Sequence, residues 1–190
     1  MFTEKFSEYA CCDDTITGEK DGFTITARIE RDNDMAEPWK EHDGCGVISD
    51  WRAKDTKQPG ERILAEDRGR RCLFYDVPAS IARAKQGYPI SRASQRRKYG
   101  SENTCSPRSR QQAARAVESD FQRMQAWCAD DWCWCIITLS VARKGITLNN
   151  YAASLSGIDS TAGEYFNDIA NELFDEAVDA GHRALRLLTA

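Results

Sequence analysis

The chain has 190 residues, 41% hydrophobic and 29% charged, a balance suited to a globular protein with one core or two small lobes. No apolar run approaches the roughly 20 residues of a bilayer-spanning helix, and residues 1–6 lack the basic start and apolar stretch of a signal peptide, so a cytoplasmic protein is expected. The formal net charge of −4 conceals a segregation: residues 1–50 hold 13 acidic and 5 basic side chains, residues 51–110 hold 6 and 15, and residues 111–190 hold 11 and 6.

Residues 1–21 read as a short helix or irregular arm ending in a polar turn. Phe23, Ile25, Ala27 and Ile29 then alternate with polar residues, which predicts a strand buried on one side. From Asp32 to Pro59 the pattern dissolves into a long loop carrying Trp39 and Trp51 among carboxylates. These rings either cover the edge of the core or serve as contact anchors, because tryptophan amid charge is typical of interfaces. Residues 61–66 have no clear preference, and Arg71-Cys72-Leu73-Phe74-Tyr75 reads as a strand. Asp76 caps a helix from about Pro78 to Gln86, with Pro78 in the first turn, where its missing N–H is not needed.

Residues 88–106 are rich in Ser and Arg and lack apolar periodicity, which predicts a mobile basic segment. A helix from about Pro107 to Ala129 follows, with Ala113, Val117, Phe121, Met124 and Cys128 on one stripe. Trp132 to Val141 is the longest apolar run and predicts a central strand whose core face is Cys133, Cys135, Ile137, Leu139 and Val141. Arg143-Lys144-Gly145 is a tight turn into a returning strand at Ile146–Leu148. A short apolar piece at Tyr151–Leu155 breaks at Gly157. The last helix, capped by Asp159 or Ser160, has an apolar side from Phe166 to Leu188 and an acidic side with Glu164, Asp168, Glu172, Asp175 and Asp179. The expected fold is a single α+β domain: an antiparallel sheet of about four strands with two long helices packed on one face.

Chemistry-bearing motifs are sparse. The eight cysteines form no C-x-x-C pair and have only His42 and His182 to help, so scattered reduced thiols, and no metal site, are expected. His42 lies between Glu41 and Asp43, but loop neighbours rarely converge on one reacting point, so no catalytic residue is assigned. His182 reads as a helix-end cation. No phosphate-binding, dinucleotide-binding or nucleophile-elbow pattern occurs, and no cofactor is expected. The carboxylates Asp34, Glu37, Glu41 and Asp43, with Trp39 among them, form the candidate partner-binding surface. Arg92, Arg96, Arg97 and Lys98, beside Tyr88 and Tyr99, either track a phosphate backbone and stack on bases or form a solvated linker.

Asp21-Gly22-Phe23-Thr24-Ile25-Thr26-Ala27, the Pro38-Trp39 stretch through Glu41-His42-Asp43-Gly44, Pro59-Gly60-Glu61-Arg62-Ile63-Leu64, Phe74-Tyr75-Asp76 and Tyr151-Ala152-Ala153-Ser154-Leu155-Ser156-Gly157-Ile158 together give a pattern that resembles a group of phage and prophage accessory proteins. The resemblance spans nearly the whole chain, carries no catalytic residue, and implies an anti-CRISPR or anti-restriction inhibitor acting inside a bacterial host. Three readings follow in order. The first is a non-catalytic inhibitor that binds a host defence complex through charged surfaces, its carboxylates occupying a groove meant for phosphates. The second is a nucleic-acid-binding protein working through the Arg-rich middle. The third is a small enzyme around His42. Polarised charge with spare aromatics also predicts a two-fold homodimer.

Overall fold

The computed structural model describes residues 1–41, 46–86 and 110–189. The chain is α+β and divides into two compact units: residues 1–35 with 132–190, and residues 36–131. The second unit is therefore inserted, in sequence, between two strands of the first. The basic segment around 88–106, with Arg92, Arg96, Arg97 and Lys98, lies outside the described residues, as do His42 and Asp43.

The first unit is a four-stranded antiparallel sheet, in spatial order β1 (Thr15–Lys20), β2 (Phe23–Arg31), β7 (Trp134–Arg143) and β8 (Ile146–Asp159). The expected central strand is in place as β7, paired with β2 from Thr24↔Ala142 to Arg31↔Cys135. Its predicted core face is buried at Cys135, Ile137, Leu139 and Val141, while Cys133 is half-buried. Phe23, Ile25, Ala27 and Ile29 of β2 lie in the same core. The C-terminal helix, Tyr165–Thr189, covers this face with Phe166, Ile169, Ala170, Phe174, Ala177 and Val178. It comes close at Gly181, where an added Cβ would lie 2.9 Å from Val141 Cγ2.

Residues 1–14 are an irregular arm tied along the helix. Phe2 packs edge-on against Phe174, and the Asn167 side chain accepts from Phe6 N–H at 2.7 Å while donating to Phe6 C=O at 3.1 Å. Two apolar anchors and a doubly bonded amide thus fix a segment that has no regular structure of its own.

In the second unit β6 (Arg71–Asp76) is the shared partner of β3 (Val47–Ile48), β4 (Arg52–Ala53) and β5 (Glu61–Asp67). The unit also holds α1 (Pro38–Glu41), α2 (Val77–Gln86) and α3 (Arg110–Cys128), which makes the C-terminal helix α4. Asp76 caps α2 as expected, accepting from Ala79 N–H at 2.9 Å. The predicted stripe of α3 is buried at Ala113, Val117, Phe121 and Met124.

Several expectations change here: residues 15–20, expected in a helix or irregular arm, form β1; the pieces expected at 146–148 and 151–155 belong to the single strand β8; and α4 begins at Tyr165. The two long helices do not share one sheet: α4 covers the four-stranded sheet, whereas α3 belongs to the second unit, where Phe121 meets Tyr75 edge-on. An apolar stripe says that a helix face is buried and leaves its partner open. The long loop from Asp32 also contains α1, β3 and β4, elements too short to show a period.

Candidate functional site

The carboxylates and tryptophan read as a partner surface are divided by the unit boundary. Asp34 belongs to the first unit; Glu37, Trp39 and Glu41 belong to the second, which begins at Ala36. In the second unit these side chains shape their own turn. Glu37 pairs with Lys40 at 2.8 Å, and this hydrogen bond holds its carboxyl below the usual value. Glu41 accepts from Ala36 N–H at 3.2 Å. Trp39 is half-buried, its ring edge-on to Trp127 at 5.2 Å, so it anchors its own segment to the end of α3. His182 lies 3.5 Å from Asp21 and edge-on to Phe23.

A broader charged surface runs along α4. Asp168, Glu172, Asp175, Glu176 and Asp179 are all exposed, opposite the buried stripe. Asp175 pairs with Lys20 at 2.7 Å. At 1.5 Å rise per residue these five carboxylates span about 16 Å, roughly one charge per 4 Å. A single strand of duplex DNA carries about one per 3.4 Å. The stripe places like charges four residues apart at 168/172, 172/176 and 175/179, an arrangement that costs an isolated helix about 0.2–0.5 kcal/mol per pair.

Charge partition follows the two units. Residues 1–35 and 132–190 carry 16 acidic and 8 basic side chains, net −8; residues 36–131 carry 14 and 18, net +4. In the basic unit, the β5–β6 turn bears Arg68, Arg70 and Arg71 around an open depression, with Arg71 held by Asp67 at 2.9 Å.

The face of the four-stranded sheet opposite α4 carries a shallow groove of about 450 Å³. Arg28 bridges Asp13 and Glu30 there, Thr138 donates to Glu30 at 3.2 Å, and Ser140 and Tyr151 are among the other lining residues. Tyr151 is 71% exposed. The groove offers hydroxyls and one bridged charge, a surface for hydrogen bonding.

The thiols depart from the scattered arrangement expected. Six cysteines are described, all unpaired by disulfides. Three converge: the Sγ atoms of Cys12, Cys133 and Cys135 all lie within 4.8 Å of one another, with Cys12 and Cys135 at 3.8 Å. Burial pushes the Cys12 and Cys135 thiols above their ordinary value. The sequence signal is the C-x-C spacing of Cys133 and Cys135, which predicts both on one side of an extended segment; in the structure Cys133 immediately precedes β7, and the approach of Cys12 depends on the path of the arm.

Comparison with family models, curated proteins and solved structures finds no match. Among the described residues, no helix is long and apolar enough to cross a membrane.

Proposed function

We propose that the chain is a non-catalytic inhibitor of the anti-CRISPR or anti-restriction type, acting in the bacterial cytoplasm on a host nucleic-acid-handling defence complex. The observation that carries this reading is the exposed acidic stripe of α4 in a unit of net charge −8. Its charge spacing is close to that of a nucleic-acid strand, and a groove built for phosphates attracts carboxylates held at that spacing. The like-charge neighbours cost helix stability, and a binding role accounts for that cost. The loop residues Asp34, Glu37, Trp39, Glu41 and Asp43 are tested separately as further partner-contact candidates in the same proposal.

The test compares four variants, each first verified by its thermal melt. One replaces Asp168, Glu172, Glu176 and Asp179 by the corresponding amides; one replaces the four loop carboxylates by Ser; the others are Trp39→Ala and Arg96, Arg97 and Lys98 to Ser. The readout is phage plating on a host that carries the defence system. Loss of protection in the stripe variant, with retention in the arginine variant, supports the inhibitor.

The Arg68–Arg71 turn favours a second reading, a nucleic-acid-binding accessory protein in which that turn acts with Arg92, Arg96, Arg97 and Lys98. DNA or RNA binding by purified protein that weakens steeply with salt, and falls in the arginine variant, moves the assignment there. A homodimer belongs to the first reading; light scattering that gives the mass of one 21.4 kDa chain at high concentration removes it.

A further inference from the structure

We propose that Cys12, Cys133 and Cys135 form a metal site for a thiophilic d10 cation of the Zn(II) class. Their Sγ atoms already lie within 4.8 Å of one another, and the Cys12–Cys135 separation is 3.8 Å. Zinc–thiolate bonds of about 2.3 Å in tetrahedral geometry put neighbouring sulfurs about 3.8 Å apart. One edge of the ligand set therefore has the bound spacing, and the other two need to close by at most about 1 Å on that geometry.

The ligands come from segments far apart in sequence, and both are held independently of any ion. Cys135 stands on the core side of the central strand, and Cys133 immediately precedes that strand. Cys133 is fixed by its N–H to Ser160 Oγ at 3.0 Å and by its C=O, which accepts from Ser160 N–H at 3.0 Å. The arm is pinned beside Cys12, where Asp13 N–H donates to Ile29 C=O at 2.7 Å and Asp14 C=O accepts from Ile29 N–H at 3.0 Å. Such outer bonds orient ligand side chains and limit the entropy lost on binding. Cys135 is buried, whereas Cys12 and Cys133 are half-buried, so an ion can enter from the solvent side. Among the described residues three sulfurs converge, which leaves a fourth position for a further ligand such as water.

The balance is simple: a divalent cation replaces three thiol protons, forms three metal–sulfur bonds, and leaves a tris-thiolate with one net negative charge. The ion would tie the N-terminal arm to the start of β7. Cys72 and Cys128 belong to the other unit and take no part.

The test uses reduced, chelator-stripped, full-length protein titrated with Cd(II), followed by the ultraviolet thiolate-to-metal charge-transfer band and by thermal melting. The expected result is saturation at one ion per chain with a rise in melting temperature. Cys12→Ser, on the arm and away from the core strand, should reduce the band and weaken binding by an order of magnitude or more; Cys133→Ser should do the same. Cys128→Ser should match the wild type. No band in the wild type, or an unchanged band and stoichiometry in Cys12→Ser, overturns the site.

Discussion

Ile137 and Ser140 stand on opposite faces of the same strand, which separates core from surface within four residues. Ile137 is 0% exposed among the side chains of β2 and α4, so Ile137→Ala opens a cavity and should cost about 2–5 kcal/mol. Ser140 lines the open groove, and Ser140→Ala should change stability by a few tenths of a kcal/mol at most, on the order of a surface substitution. Chemical denaturation checks both, and equal tolerance would mean that the strand register is wrong. Cys128 gives a second test at this scale. Burial pushes its thiol from 9.0 up to about 11, so the folded chain keeps a proton that the unfolded chain gives up. Its contribution to stability is therefore full below pH 9.0 and is lost as pH rises through about 11. In the native protein at mildly alkaline pH, alkylation should be fast at exposed Cys11 and slow at Cys128. Mass mapping that finds Cys128 modified as quickly as Cys11 would contradict the burial.

Three hairpins are closed by an X-Gly pair with both residues at positive φ: Asp21-Gly22, Arg68-Gly69 and Lys144-Gly145. That conformation matches the twist of paired strands, and glycine enters it without a Cβ clash. An added Cβ at Gly145 meets nothing within 4 Å, so the cost of Gly145→Ala is purely conformational, about 1–2 kcal/mol, and Gly145→Asn should recover part of it. Thermal melts of the two variants check this; no difference between them would mean that the turn is of another type. The same turns show what the sequence does and does not reveal. Lys144-Gly145 is legible because apolar runs flank it on both sides. Asp21-Gly22 is legible as a polar turn but not as a hairpin, because β1, where a short helix or irregular arm is expected, buries few side chains of its own. Its Gly18 lies where a Cβ would come within 2.9 Å of Phe174, so the strand is specified by close packing that no alternation displays. Strand β8 reads as separate pieces because Asn149-Asn150 and Ser156-Gly157 look like turns. The strand continues through them with register shifts, and Gly157, at φ 73, takes up one of these irregular positions. The start of α4 is displaced for a related reason: Asp159 accepts from Thr161 N–H at 2.8 Å, closing a turn ahead of the helix that begins at Tyr165. For the candidate surfaces, the acidic side of α4 follows from helical spacing alone, whereas the thiol cluster needs a tertiary contact.

At the scale of the whole molecule, the informative feature is where the second unit enters the chain. It is inserted between β2 and β7, which are neighbours in the sheet and pair down to Arg31↔Cys135. Asp32 N–H continues that pairing by donating to Trp134 C=O at 2.8 Å. The chain therefore leaves the first unit and returns to it at the same end of two adjacent inner strands, and closing this gap requires only a short loop. Loop-closure entropy rises slowly with length, so replacing residues 36–131 by a few Gly and Ser residues should not destabilise the sheet through its connection. The helix α4, the arm and all four strands are retained in such a protein, and so is the core they share. We predict that residues 1–35 joined to 132–190 fold cooperatively, with a single thermal transition and the circular dichroism of a mixed α and β protein. A broad, non-cooperative melt would show that the first unit depends on the second for its stability. Where it folds, the same protein separates the functional readings. The unit of net charge −8 holds the α4 stripe and lacks the Arg68–Arg71 turn. If the stripe carries the inhibitor activity, this shortened chain protects phage on a defended host, at reduced potency where the second unit adds contacts. If it folds and gives no protection while the full chain does, the decisive surface lies within residues 36–131.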